Sequence, residues 1–170
     1  MTDEIEYHAA RILLLLAAFA PKGGAMEGIT KLVKLDFLLR YPQFLDRLVQ
    51  RRGLVWPNGL QPTLAETLAV ESPMIRYKYG PWDDRYYPIL GYLAGTSLAD
   101  ITKAGGTLTI RLTPEGRAMA AQLAGDPSWQ KVSRRAKFLR TNFNDSGSNL
   151  KAMIYREFPE VAGRRWRETI

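Results

Sequence analysis

The densest group of residues that could do chemistry lies in residues 72–93, SPMIRYKYGPWDDRYYPILGYL. It contains two adjacent carboxylates, Asp83 and Asp84, a residue type that serves in acid–base catalysis and in metal sites. Neighbouring residues on a helix diverge by about 100°, so the two carboxylates do not naturally point at one substrate atom. Pro81 suits the first position of a helix, and carboxylates in a first turn oppose the positive end of the helix dipole. The pattern therefore favours a helix start over a catalytic pair.

The same stretch is rich in tyrosine and tryptophan, with arginine and lysine between them. Aromatic rings next to cations can stack on nucleic-acid bases, and they also build hydrophobic cores and protein interfaces. The sequence leaves these three roles open and favours core and interface over stacking. The residues expected to form or support a partner-binding surface are Tyr77, Lys78, Trp82, Asp83, Asp84 and Arg85.

Basic residues form a second group of candidates. Residues 126–170 carry ten basic and five acidic side chains, which supplies a net +5 of the chain's +7. Five of these cations recur on one predicted helix with no acid among them, so contact with phosphates or with an acidic protein competes with a solvated face. The KAGG turn at residues 103–106 offers a further phosphate contact, although a plain hairpin turn is the favoured interpretation. The candidate nucleic-acid-binding residues are Lys103, Lys131, Arg134, Arg135, Lys137 and Arg140.

Several chemistries lack the residues that they require. The 170-residue chain has no cysteine and one histidine, His8, which excludes disulfides, thiolate metal sites and a histidine-based metal site. No phosphate-binding glycine loop and no pair of nucleophile and base is present. We expect no enzyme activity, no metal and no cofactor. A carboxylate site, the remaining alternative, would need Asp83 or Asp84 to converge with another acid, such as Asp36 or Glu115, around a metal.

The most apolar run, ILLLLAAFA at residues 12–20, is shorter than the about 20 residues that a membrane-spanning helix needs. The sequence begins MTDEIE, and this acidic start has the wrong charge for a signal peptide. We therefore expect a cytoplasmic protein with no membrane partner, in which the apolar run is a buried helix.

Helical periodicity predicts three helices in the first third of the chain, joined by short connections. The first covers residues 3–20 and ends at PKGG, because proline and glycine are stop signals. The second, EGITKLVKLDFLLRYP, has a wide apolar face, and its charged residues at positions 31, 34, 36 and 40 are expected to point outward. The third, QFLDRLVQRRG, closes at Gly53. Three such helices fit a helix-turn-helix-like core.

A strand, a hairpin and further helices are predicted after this core. PMIRYKYG, residues 73–80, has the alternation of a short strand. Two alternating runs, from Leu98 to Lys103 and from Thr107 to Leu112, flank KAGG and predict a β-hairpin. TPEG then starts a helix with Thr113 as its N-cap. A hairpin attached to small helices is typical of winged-helix domains.

The predicted fold is therefore α+β and mainly α. It consists of a winged-helix-like domain, with a helical core and a β-hairpin wing, followed by a C-terminal helical extension. We place the domain at residues 1–125 and the basic extension at residues 126–170. The extension holds the basic helix of residues 128–143 and a shorter amphipathic helix, LKAMIYREFP.

Three stretches, taken in order, resemble one family of proteins. They are GITKLVKLDFLLRYP, then MIRYKYGPWDDRYYPILGYL with the hairpin and LTPEGRAMAAQL after it, and finally FNDSGSNLKAMIYREFPEV. Together they span residues 28–161 and resemble the middle component of bacterial ABC-three-component systems, which is related to the small subunit of Lamassu-type anti-phage defence. That family has no defined catalytic motif, so no functional residue carries over to this chain.

The resemblance implies a non-catalytic adaptor that binds an SMC-like ABC ATPase and helps restrain or position an effector, often a nuclease. The basic helix is then expected to bind DNA or an acidic patch of the partner. The alternative is a winged-helix DNA-binding transcription regulator, although its best recognition helix, Gly28–Arg40, is strongly apolar. Sequence-specific DNA binding by the lone chain would indicate the regulator, whereas weak and steeply salt-dependent binding would indicate the adaptor.

Overall fold

The computed structural model describes residues 2–21, 23–69 and 86–159 of the chain. These residues form a mainly helical α+β fold, with eight helices and one three-stranded antiparallel sheet among them. The helices are α1 (Thr2–Phe19), α2 (Ile29–Arg40), α3 (Pro42–Arg51), α4 (Leu64–Ala69), α5 (Tyr86–Gly95), α6 (Pro114–Gly125), α7 (Gln130–Asn142) and α8 (Gly147–Glu157). The strands are β1 (Met26–Glu27), β2 (Ala99–Ala104) and β3 (Thr107–Leu112).

The β2–β3 hairpin is the wing that the sequence predicts. The two strands pair antiparallel from Ala99 opposite Leu112 to Ala104 opposite Thr107, and β1 pairs with the other side of β3. The turn is Gly105–Gly106, and both glycines have a positive φ, 57° and 84°, which the favoured two-residue hairpin turn requires. The predicted hairpin is thus confirmed, with its turn at the expected residues.

Helix α6 begins where the TPEG motif predicts. The Thr113 hydroxyl accepts a hydrogen bond from the Gly116 amide at 3.0 Å and donates one to the Ser97 carbonyl at 2.6 Å. Gly116 lies against the backbone that precedes β2, since a Cβ on it would stand 1.9 Å from the Leu98 carbonyl oxygen. The close approach of α6 to this backbone therefore requires glycine at position 116.

Helix α2 lies at the centre of the fold, and all its residues from Leu32 to Leu39 are buried. Helix α8 packs along one side of α2, and α1, α3 and α7 also contact it. The expected outward orientation of Lys34 and Asp36 is therefore wrong, because these residues are 4% and 0% exposed. Apolar side chains point in all directions around α2, so the elements that pack against them cover its charged positions as well.

The two C-terminal helices share the core of the rest of the fold. Phe143, Leu150, Ile154 and Phe158 are almost fully buried and belong to one hydrophobic cluster with residues of α1, α2 and α3. The ring centre of Phe158 lies 4.9 Å from that of Phe44 in α3. The predicted division at residue 125 therefore crosses one continuous hydrophobic core.

The order of elements agrees with the predicted winged-helix-like arrangement. A helix and a short strand come first, further helices follow, and the hairpin closes a sheet of order β1-β3-β2. Helix α5 immediately precedes the wing. The strand predicted at residues 73–80 lies outside the described residues.

Candidate interaction surfaces

The predicted partner-binding residues all belong to residues 70–85, which lie outside the described part of the chain. A partly buried ion pair, Arg135–Glu66, holds α4 on one side of this stretch. On the other side, α5 is held by a hydrogen bond from Tyr86 to Asp36, whose carboxylate forms a buried ion pair with Arg11. The predicted partner-binding residues within this stretch are Tyr77, Lys78, Trp82, Asp83, Asp84 and Arg85.

On the N-terminal side of residues 70–85 lie α4 and the loop before it. Arg135 of α7 forms hydrogen bonds with both of them. The Arg135 guanidinium donates to the Leu60 carbonyl at 2.9 Å and to the two carboxylate oxygens of Glu66 at 2.5 and 3.0 Å. Burial by itself would raise the pKa of Glu66, but hydrogen bonds from Arg135 and Thr63 lower that pKa to about 2. The flank is therefore attached to α7 by a charged pair whose carboxylate stays ionised in all but strong acid.

This contact removes Arg135 from the predicted basic surface. Arg135 is 3% exposed, because it lies on the side of α7 that also carries the core residues Ala136 and Leu139. The expectation that it belongs to an exposed row of cations is wrong. Its guanidinium instead neutralises Glu66 and satisfies a loop carbonyl in the interior.

The C-terminal flank begins at Tyr86, the first residue of α5. Its hydroxyl donates to the Asp36 carboxylate at 2.5 Å, and Arg11 of α1 donates to both oxygens of that carboxylate at 2.6 and 3.0 Å. Burial would raise the pKa of Asp36, but the charge and hydrogen bonds of Arg11 lower it. Burial, and then the negative charge of Asp36, raise the pKa of the Tyr86 hydroxyl. One buried carboxylate therefore joins α1, α2 and α5.

Helix α7 presents the basic surface that remains after Arg135 is excluded. Its side chains Lys131, Arg134, Lys137 and Arg140 are exposed, and at about 100° per residue they cover the outward half of the helix. The sequence of α7 contains no acidic residue, so this surface is positive along its length. We call these four residues the basic face.

A groove of about 640 Å³ separates the wing from α5 and from the start of α2. Its walls are mostly apolar, with Leu90 from α5 and Ile101 and Leu108 from the hairpin. Tyr87, which is 55% exposed, also lines it. Lys103 is the one charged residue among the described residues of the lining, and none of those residues belongs to α7. The structure therefore separates Lys103 from the basic face, and we call this feature the wing groove.

Lys34 is a buried cation that the sequence analysis missed. Its ammonium nitrogen lies 5.1 Å from the ring centre of Tyr155, and the Lys151 nitrogen lies 5.6 Å from the same ring centre. Burial, and then repulsion from Lys151, lower the pKa of Lys34 from 10.5 to about 8. The available signal was the sequence of α2, in which apolar residues occupy every direction around the helix and leave no polar face for a lysine.

The fold and these surfaces define a mainly helical α+β chain of winged-helix-like arrangement, with a basic helix and an apolar groove beside the wing. Within the described ranges, no three acidic, histidine or cysteine side chains gather closely enough to hold a metal ion. None of the described helices is both long and apolar enough to cross a membrane. Comparisons with protein-family models, with curated proteins and with solved structures found no match.

Proposed function

We propose that this chain is a non-catalytic adaptor subunit of a bacterial anti-phage defence complex. It binds an SMC-like ABC ATPase and helps restrain or position an effector such as a nuclease, and the catalytic sites belong to those other chains. The resemblance of residues 28–161 to the small subunits of such systems supports this proposal. The structural observation that carries it is the uncharged surface of α5 beside the wing.

Helix α5 has the sequence YYPILGYLAG and contains no charged residue. A helix that reads DNA needs side chains that hydrogen-bond to base edges, together with cations that meet phosphates. An exposed tyrosine such as Tyr87 beside apolar walls is instead typical of protein interfaces. The wing groove therefore suits a segment of another protein, and the aromatic stretch at residues 77–85 immediately precedes α5 in the chain.

A winged-helix transcription regulator is the second candidate, and the basic face is the observation that favours it. Four exposed cations on one helix are well suited to phosphate contacts. The predicted recognition helix at residues 28–40 is unsuited to a DNA groove, since its residues from Leu32 to Leu39 are buried. In the adaptor proposal the basic face binds DNA without sequence preference, or an acidic surface of a partner.

The test of the adaptor proposal is affinity capture of the tagged protein from its native host. We expect the wild-type protein to recover an SMC-like ATPase in near-equal amount, and Tyr87→Asp to recover much less of it. Tyr7→Asp is the matched control, because Tyr7 is 57% exposed against 55% for Tyr87 and does not line the wing groove. Recovery of no stable partner by the wild-type protein would refute the proposal.

A gel-shift titration of the lone chain with DNA separates the two candidates. The adaptor proposal predicts weak binding that is independent of sequence and falls steeply as salt rises. Charge reversal at Arg134 and Lys137 weakens this binding further. A tight complex with one DNA sequence, stable against random competitor DNA, would support the regulator instead.

A further inference from the structure

A small cavity lies between α1, α6 and α7, beside the basic face. Its volume is about 230 Å³, and five alanines and Leu14 form most of its wall. It reaches the surface at Ala121, which is exposed. A cavity of roughly 150 Å³ can hold a benzene ring, so this one accommodates a leucine or phenylalanine side chain. We call it the alanine cavity.

Three polar side chains also line the alanine cavity, namely Arg117 of α6 and Ser133 and Lys137 of α7. Ser133 is 6% exposed. Arg117 donates to the Ala20 carbonyl at 3.0 Å, and a guanidinium has further N–H groups to offer. One hydroxyl and two cations therefore border an apolar recess.

Lys137 belongs both to the alanine cavity and to the basic face. The positive surface therefore continues from the cavity along the outward half of α7, through Arg134 to Lys131. No acidic residue of α7 offsets this charge. A small anion would meet only the edge of the cavity, whereas an extended acidic chain would meet both the cavity and the helix.

We infer that the alanine cavity and the basic face together bind an acidic segment of a partner protein, with one apolar side chain of that segment inserted in the cavity. The carboxylates of the segment meet Lys131, Arg134 and Lys137. This assignment rests on the proposed adaptor function and adds the chemistry of the bound partner: an acidic chain with a leucine-like or phenylalanine-like anchor.

The cavity is the feature that distinguishes a protein segment from DNA at this surface. Cations alone meet the phosphates of a duplex, and its backbone carries no apolar side chain that could enter a recess. At protein interfaces, by contrast, apolar anchors in well-packed pockets carry much of the affinity. An apolar recess with a positive rim therefore favours an acidic protein segment.

The test is a fluorescence anisotropy titration of the whole protein with two short glutamate-rich peptides. One peptide has a central phenylalanine and the other has alanine in its place. We expect the phenylalanine peptide to bind about tenfold more tightly, the effect of burying one such side chain. Equal affinity for the two peptides would overturn the inference, and so would tighter binding of a short mixed-sequence DNA duplex at the same salt concentration.

Two variants of α6 test whether the anchor enters the alanine cavity. Ala121→Phe fills the cavity from its exposed side, and Ala118→Phe is the matched control, since Ala118 is exposed on the same helix and does not line the cavity. We expect Ala121→Phe to abolish the preference for the phenylalanine peptide and Ala118→Phe to retain it. A preference that survives Ala121→Phe would also overturn the inference.

The peptide titrations test the acidic-segment site, and the affinity capture tests the adaptor function, so either proposal can be refuted without the other. If the peptides behave as expected but no SMC-like ATPase is recovered, the acidic-segment site stands and the adaptor function falls. If the ATPase is recovered but the two peptides bind equally, the adaptor function stands and the acidic-segment site falls.

Discussion

Lysine is a residue type that usually lies on the protein surface, but Lys34 lies in the interior of the fold. A charged group that loses its hydration is costly unless an opposite charge compensates it. Lys34 instead faces the ring of Tyr155, with a second ammonium, that of Lys151, near the same ring. A cation–π contact contributes only about 0.5–2 kcal/mol, so this lysine opposes folding whenever it carries its proton.

Replacing Lys34 by methionine is therefore expected to stabilise the protein. Lys34→Met keeps the length of the side chain and removes the charge, so the free energy of unfolding at pH 7 rises by about 1–2 kcal/mol. Between pH 8 and 10.5 the unfolded lysine holds its proton and the folded one does not, so wild-type stability rises with pH in this window. Urea denaturation of both proteins across that range measures the difference, which is expected to shrink as pH increases.

Lys131→Met is the matched control for this experiment. Lys131 is exposed on α7, and surface substitutions of this kind change the free energy of unfolding by about 0.5 kcal/mol or less. The interpretation of Lys34 is wrong if Lys34→Met destabilises the protein, or if its advantage over the wild type is the same at pH 7 and at pH 10.

Helices α4 and α5 are the elements that flank residues 70–85, and each is held by a buried charged side chain. Arg135 binds Glu66 of α4, and Asp36 binds Tyr86 of α5. A pair of this kind adds little net stability in itself, but removing one partner leaves the other uncompensated in the interior. The two contacts therefore fix where the chain enters and leaves the predicted partner-binding stretch.

Loss of the Glu66 charge is expected to loosen α4 in particular. Glu66→Gln lowers the free energy of unfolding by about 1–2 kcal/mol at pH 7, because Arg135 loses its counter-charge. The folded pKa of Glu66, about 2, lies below the ordinary 4.5. The contribution of this carboxylate is therefore complete above pH 4.5 and is lost as pH falls towards 2. Chemical denaturation at a series of pH values measures it, and amide exchange over residues 64–69 shows where the fold opens.

Glu6→Gln is the control for this acid profile, because Glu6 is an exposed carboxylate of α1. We expect it to leave both the stability and the exchange of α4 unchanged. If Glu66→Gln loses no stability at pH 7, or if its difference from the wild type persists at pH 2, the ion pair does not hold α4.

At the scale of the whole molecule, the hydrophobic core includes the two C-terminal helices. The sequence had predicted that these helices form an extension outside the first domain. Phe143 and Phe158 are among the largest fully buried side chains of the molecule, and α8 packs directly on the central helix α2. Removing these helices would expose the apolar surfaces of α1 and α2 that they cover, at a cost of roughly 1.5–3 kcal/mol for each large side chain. Natural domains have only about 5–15 kcal/mol of net stability to lose.

A chain that ends at Gly125 is therefore expected not to fold. Its near-ultraviolet circular dichroism should lack the signal of fixed aromatic side chains, and its urea denaturation should show no cooperative transition. The full chain, measured in parallel, should show both. A cooperative transition in the shortened chain would mean that residues 1–125 form an independent domain.

The sequence allowed prediction of those elements that a few adjacent residues specify. The hairpin turn needs glycine at 105 and 106, and the start of α6 needs a hydroxyl at Thr113 and proline after it, so adjacent residues suffice to specify each. The basic face of α7 was likewise visible, because four of its five predicted cations fall on the outward half of the helix. The burial of Arg135 was not predicted, because the position of a cation on a helix does not reveal which neighbouring element carries its counter-charge.

The sequence by itself determined the periodic helices, the wing and the uneven charge, because these follow from propensities and spacings within a few residues. Only the tertiary structure decided that α2 is central, that Lys34 and Asp36 are buried, and that the last two helices complete the core. It also decided that an alanine-lined cavity opens beside the basic face. These properties depend on which elements pack together over more than a hundred residues, and no local pattern of apolar and charged residues encodes that pairing.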